Sequence, residues 1–133
     1  MVGIREASER TGLTAHTLRY YERIGLVPDV PRDERGQRLY GEQEIRWITF
    51  LTKLRLTGMP IQQMQQYAAL VLAGEASVDA RRELLEAHRA EVVARLEELQ
   101  ENLAVLDYKI NLYRSGCALP PVPTEVTTSP ETT

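Results

Sequence analysis

The feature that most constrains this fold is a run of 37 residues, 79–115, without proline or glycine. Such a run predicts one continuous helix about 55 Å long, at a rise of about 1.5 Å per residue. From Leu96 onward, one face of this helix follows a heptad repeat, which is typical of a coiled coil. The full stripe, spaced by three or four residues, consists of Leu85, His88, Val92, Leu96, Leu99, Leu103, Leu106, Ile110 and Tyr113.

A lone helix would expose this stripe to water, so the stripe predicts a partner helix. We expect a homodimer whose interface contains every member of the stripe except His88. The alternative is that the helix folds back on the N-terminal part of its own chain. We favour the dimer because that small domain needs its apolar surface for its own core.

The N-terminal segment, residues 4–24, predicts two short helices separated by a turn at Gly12, a residue that readily adopts the left-handed conformation. Thr14 is the expected N-cap of the second helix. Five apolar side chains can face one core: Ile4, Ala7, Leu13, Leu18 and Ile24. The second helix leaves a polar and aromatic face outward: His16, Thr17, Arg19, Tyr20 and Arg23. That division suits the recognition helix of a helix-turn-helix.

After Gly25, residues 26–39 contain two prolines and one glycine among alternating charges, which predicts a hairpin or extended wing. Two further helices are predicted at about 41–57 and 60–72, with Trp47 partly buried. The third helix is expected to bury an apolar face: Ile45, Ile48, Phe50, Leu51, Leu54 and Leu56.

The predicted fold is mainly α, a winged helix-turn-helix followed by a long C-terminal helix. Residues 1–74 are the expected DNA-binding domain and residues 77–115 the dimerisation helix. Residues 116–133, rich in proline, threonine and serine, are expected to be a flexible tail with a candidate effector loop.

Composition permits a nucleic-acid partner without demanding one. The net charge is −3, but residues 1–70 carry +2 and the rest −5, so the N-terminal half is the less acidic. No apolar run approaches the roughly 20 residues that span a bilayer, and the N-terminus lacks the apolar stretch of a signal peptide. We therefore expect a cytoplasmic protein without a membrane partner.

Two motifs identify a family. The run GLTAHTLRYYERIGL at residues 12–26, followed by RGQRLY at residues 35–40, strongly resembles the signature of the MerR family of bacterial transcription regulators. The resemblance extends over roughly residues 3–115. This sequence departs from the pattern at Gln37, where the family usually has a tyrosine that supports the wing.

The resemblance implies a homodimer whose long helices pair as an antiparallel coiled coil. Two winged heads would then enter successive major grooves of a pseudo-palindromic operator in double-stranded DNA. In this family the operator commonly lies in an unusually long promoter spacer, which the dimer bends and untwists. RNA polymerase at the promoter is the further expected partner.

Nine residues are candidates for DNA contact: Thr14, His16, Thr17, Arg19, Tyr20, Tyr21, Arg38, Tyr40 and Arg55. His16 is the first choice for reading bases, with a solvated surface histidine as the alternative. Arg19 can pair with a phosphate or a guanine. Its alternative role is an ion pair with Glu22 or Glu9.

The two adjacent tyrosines point about 100° apart on a helix. We expect one of Tyr20 and Tyr21 to pack inward and the other to offer its hydroxyl to a phosphate. Arg38 in the wing and Arg55 before the Gly58 turn are further phosphate candidates.

Cys117, the single cysteine, is the candidate effector residue. One thiolate per chain is too few for a metal site unless the partner subunit or His88 contributes. Alternatively, Cys117 is an accessible thiol that senses oxidants or electrophiles. The interpretation we favour is an incidental cysteine, and we expect neither a cofactor nor a metal.

An enzyme is not expected, because the two histidines and the cysteine lie in different segments and form no recognisable nucleophile or metal constellation. Two other classes stay open. One is a repressor or architectural protein that deforms DNA without a small-molecule signal. The other is a coiled-coil interaction module whose helix-turn-helix head binds protein.

Overall fold

The computed structural model describes residues 1–116, which form five α-helices and one short 3₁₀ turn at Glu75–Ser77. The helices are α1 (Ile4–Thr11), α2 (Ala15–Arg23), α3 (Glu42–Leu56), α4 (Ile61–Leu72) and α5 (Val78–Arg114). Extended pairing within these residues is confined to two isolated antiparallel bridges, Val2 with Tyr40 and Arg32 with Arg38. The predicted mainly helical fold with a long final helix is confirmed.

The turn between α1 and α2 depends on Gly12, whose φ of 80° lies in the left-handed region. Its N–H donates to the carbonyl of Ser8 at 2.9 Å, which closes α1. The hydroxyl of Thr14 then accepts a hydrogen bond from the Thr17 N–H at 3.0 Å and caps α2. The predicted helix-turn-helix therefore forms through local contacts.

The wing folds around Asp33. Its carboxylate accepts hydrogen bonds from the N–H groups of Arg35 and Gln37, both at 2.9 Å. The backbone adds Asp33 N–H to the Gln37 carbonyl and Leu39 N–H to the Pro31 carbonyl, both at 2.8 Å. The Gln37 side chain is exposed, so the hairpin forms here on backbone and Asp33 contacts without the usual tyrosine.

Helices α1 to α4 and the wing form the N-terminal part of the chain, which we call the head. Its core lies where α1 packs on α2 and α3, and where α3 packs on α4. Its largest fully buried side chains are Leu18, Leu26, Val27, Tyr40, Ile48, Leu51, Met59 and Met64. Phe50 and Leu56 were predicted to be buried, and this was wrong, because their side chains are 37% and 74% exposed. Apolar residues surround much of α3, so packing against α1 and α4 decides which of them are buried.

Hydrogen bonds and apolar packing connect the first turns of α5 to the head. Arg81 donates to the Ser77 hydroxyl at 2.9 Å and to the Gly74 carbonyl at 2.6 Å. Leu85 packs against the core of the head, and Nε2 of the buried His88 lies 2.8 Å from the Thr57 hydroxyl. The first turns of α5 therefore contact the head of their own chain, as in the fold-back alternative. Leu85 is only partly buried there, and its place in a dimer interface stays a prediction.

The chain divides into a unit that ends at Val92 and a unit that begins at Val93. In the second unit, all six members of the stripe are between 47% and 65% exposed: Leu96, Leu99, Leu103, Leu106, Ile110 and Tyr113. Among the described helices, none is both long and apolar enough to cross a membrane.

Candidate nucleic-acid interface

Helix α2 and the wing border a polar cleft of about 420 Å³. Its lining consists of His16, Arg19, Glu22, Arg23, Asp29, Arg32 and Arg38. Four arginines against two carboxylates leave an excess of positive charge, which suits contact with phosphates. We call these seven residues the basic cleft.

Three of the residues predicted to contact DNA meet here: His16, Arg19 and Arg38. The side chains of His16 and Arg19 are exposed. Within residues 1–116, Arg19 forms no ion pair with Glu22 or Glu9, so the structure does not support the alternative structural role for Arg19.

Thr14 and Thr17 lie at the N-terminus of α2, where their side chains are joined. The Thr14 hydroxyl donates to the Thr17 hydroxyl at 3.0 Å while it accepts the Thr17 N–H. Backbone N–H groups at a helix N-terminus attract anions. These two threonines therefore shape the end of α2 that would approach a phosphate.

The two adjacent tyrosines divide as expected into an inner and an outer ring. Tyr21 is 4% exposed and belongs to the core, and its burial raises its pKa. Tyr20 is half-buried, and the guanidinium of Arg23 lies 5.4 Å from its ring centre. Tyr20 is therefore the outer ring, which a phosphate can reach, whereas the ring of Tyr21 packs in the core; contact of Tyr21 with DNA stays a prediction.

Tyr40 also belongs to the core and not to the surface. It is 1% exposed, and its backbone pairs with Val2 through hydrogen bonds of 2.8 and 2.7 Å. Its hydroxyl is buried and lacks a hydrogen-bond partner within the described residues. Burial raises the pKa of Tyr40, against the opposing charges of nearby arginines such as Arg38. The prediction that Tyr40 contacts DNA is corrected, because DNA cannot reach its side chain in this conformation.

Glu22 joins α2 to the wing. Its carboxylate accepts a hydrogen bond from Arg38 Nε at 2.5 Å and another from the Val30 N–H at 3.2 Å. Burial alone would raise the pKa of Glu22, but these two hydrogen bonds and the charges of Arg38 and Arg32 outweigh it and lower the pKa. Glu22, which lies on α2, thus holds the Arg38 side chain of the wing beside that helix.

Sequence reasoning left Arg23 and Arg32 out of the DNA-contact set, although both line the basic cleft. Arg23 lies four residues after Arg19, so helical spacing places the two on one face. Arg32 pairs across the wing with Arg38, and that pairing requires the hairpin register. Arg55 lies outside the cleft lining, where its guanidinium donates to the Met59 carbonyl at 3.1 Å.

The candidate effector residue, Cys117, lies outside the described residues. Its proposed roles therefore stay predictions from the sequence.

Two protein-family profiles match this chain. Residues 3–70 match the profile of the MerR HTH family regulatory proteins, and residues 45–108 match the profile described as MerR, DNA binding. An HTH-type transcriptional regulator of Haemophilus influenzae is 33% identical over 114 residues, covering 86% of this chain and 84% of the relative.

Two solved structures share the fold. A MerR family transcriptional regulator from Listeria monocytogenes is 44% identical, with a TM-score of 0.81 and 86% of each chain covered. HiNmlR, a MerR family regulator lacking the sensor domain and bound to promoter DNA, is 32% identical, with a TM-score of 0.78; the match covers 88% of this chain and 93% of HiNmlR. These relatives are regulators and not enzymes. The chain therefore belongs to the MerR family of DNA-binding transcription regulators.

Proposed function

We propose that this protein regulates transcription as a homodimer on a pseudo-palindromic promoter operator, and that it bends and untwists the promoter spacer. The observation that carries the proposal is the basic cleft, which joins the outward face of α2 to the wing. A helix for the major groove and a cationic wing for the adjacent backbone are the two parts that a winged helix-turn-helix needs.

Within this proposal, His16 reads base edges and Arg19 contacts a phosphate or a guanine. Arg23 and Arg32 join Arg38 in contacting the backbone. The N-terminus of α2 and two residues beyond the cleft supply the remaining contacts: Thr14, Thr17, Tyr20 and Arg55. Residues 1–74 form the DNA-binding domain.

The dimer rests on the exposed stripe of residues 96–113. Six large side chains on one helix face, each about half exposed or more, form an apolar surface that a second copy can bury. We assign residues 77–115 to an antiparallel coiled coil between two chains. A two-fold axis then places two basic clefts on two half-sites.

The regulatory step is deformation of DNA. A dimer that holds both heads rigidly can bind two half-sites only when the spacer adopts the matching twist, and the energy of that deformation adds specificity. RNA polymerase at the promoter would read the realigned elements. The solved complex of HiNmlR with promoter DNA supports the DNA-binding part of this proposal.

The test begins with selection of the operator from random double-stranded DNA by the full chain. We expect a sequence with two inverted half-sites, and a circular-permutation assay that places a bend between them. Selection of a single, non-repeated site would contradict the dimer, and an unbent complex would contradict regulation by deformation.

A further inference from the structure

A second cleft, of about 480 Å³, lies between the segment that follows α2 and helices α3 and α4. We call it the apolar cleft. Its lining includes Leu26, Val27 and Ala68, which are at most 5% exposed, together with the half-buried Trp47 and the exposed Leu72. A concave, mostly apolar site of this volume is typical of small-molecule binding.

The charged side chains that line the apolar cleft are all acidic. Its lining includes three carboxylates, Glu22, Asp29 and Glu44, and no lysine, arginine or histidine. Glu22 is neutralised by Arg38, but within residues 1–116 neither Asp29 nor Glu44 forms an ion pair. The cleft therefore presents net negative charge beside apolar walls.

Trp47 is held in a fixed orientation in this lining. Its indole N–H donates to the Leu26 carbonyl at 2.8 Å, and its ring stacks on Tyr67 with centroids 5.7 Å apart and planes 13° apart. Indole is the aromatic ring that attracts cations most strongly. A fixed indole and carboxylates that line the same cleft match the chemistry that recognises organic ammonium ions.

We infer that the apolar cleft binds a small organic cation with an apolar body, of the aryl or quaternary ammonium class. The apolar lining takes the hydrocarbon body, and Trp47 with Asp29 and Glu44 takes the charge. An anion of equal size is repelled by the same carboxylates. This site is separate in function from the basic cleft, although Glu22 and Asp29 line both.

The sole tryptophan gives a direct readout. The full chain, without DNA, is titrated with benzyltrimethylammonium chloride and, at matched ionic strength, with sodium phenylmethanesulfonate, an anion of similar size. We expect a saturable change in Trp47 fluorescence with the cation and none with the sulfonate. Equal responses to the two probes, or no saturable response to the cation, would overturn the inference.

Two variants locate the site, each checked for folding by circular dichroism. Glu44 Oε1 accepts a hydrogen bond from the Gly41 N–H at 2.9 Å. Glu44→Gln removes the charge but keeps an oxygen for this bond, and it should weaken cation binding by about two- to fivefold. Leu72→Arg should abolish binding, whereas Leu56→Arg should not, because both leucines are similarly exposed, at 77% and 74%, and only Leu72 lines the cleft.

Cation binding that is unchanged in both Glu44→Gln and Leu72→Arg would also overturn the inference. Because no DNA is present in these titrations, their outcome does not depend on the proposed regulatory function.

Discussion

At the residue scale, Glu22 decides how the wing sits on α2. The carboxylate is nearly buried and bonds to Arg38, whose side chain is 21% exposed, and to the backbone N–H of Val30. A buried carboxylate is stable as an anion only when such partners replace water. The same contacts keep Arg38 beside the outward face of α2.

Replacing Glu22 by glutamine should therefore lower the free energy of unfolding by about 1 to 3 kcal/mol at neutral pH. Because folding lowers the pKa of Glu22, the stabilisation is fully present above the unfolded value of about 4.3 and is lost as the pH falls through the lowered pKa. The difference between the wild type and Glu22→Gln in urea unfolding should thus shrink below about pH 4. A difference that is constant with pH would contradict this role, and Glu34→Gln, in the exposed wing, is the control.

Arg19 offers the sharpest residue-scale test of the DNA contact, since it is exposed and lines the basic cleft. Arg19→Ala should weaken operator binding by about 1 to 3 kcal/mol while leaving the fold intact. Arg46→Ala removes an exposed arginine that lies outside the cleft lining, and it should change affinity little. An unchanged gel-shift titration for Arg19→Ala would exclude the contact.

At the scale of elements, α5 has two different surroundings along its length. Its first turns contact the head through Leu85 and His88, whereas the stripe from Leu96 to Tyr113 is exposed in a single chain. The spacing of three or four residues thus continues across both parts, although the heptad repeat holds only from Leu96 onward. The exposed part supplies the largest apolar surface of the proposed dimer helix.

Replacing Leu99 and Leu106 together by alanine should disrupt the dimer, at roughly 2 to 5 kcal/mol per buried leucine. Sedimentation velocity at micromolar concentration should show monomers with an intact helical circular-dichroism spectrum. Val105→Ala, at an exposed position outside the stripe, should stay dimeric. A double variant that is still dimeric would mean that another surface joins the chains.

At the scale of the whole molecule, a two-fold assembly would double every contact with DNA. Arg23 lines the basic cleft, so Arg23→Ala in a dimer removes two phosphate contacts. A plot of the logarithm of the DNA-binding constant against the logarithm of the salt concentration should then have a slope shallower by about 1.8, at roughly 0.9 per phosphate contact. A change of about 0.9 would indicate one bound head, and no change would remove Arg23 from the interface, with Arg46→Ala again as the control.

The sequence by itself determined what depends on near neighbours. Helix spacing, the turn at Gly12 and the cap at Thr14 act over at most a few residues, so the helix-turn-helix and the long α5 could be predicted from the order of residues alone. The family motif can also be recognised from the sequence, because its residues form two short runs, 12–26 and 35–40. The resemblance of these runs to the MerR signature predicted the DNA partner.

Tertiary structure decided what depends on distant packing. Tyr40 matches the family motif, yet its pairing with Val2 buries it in the core. Arg38 meets Glu22 across 16 positions of sequence, and Arg32 joins the basic cleft only through the register of the wing. The apolar cleft collects residues from α3, α4 and the segment after α2. No short-range pattern encodes such proximities, because they arise only when whole elements pack and exclude water.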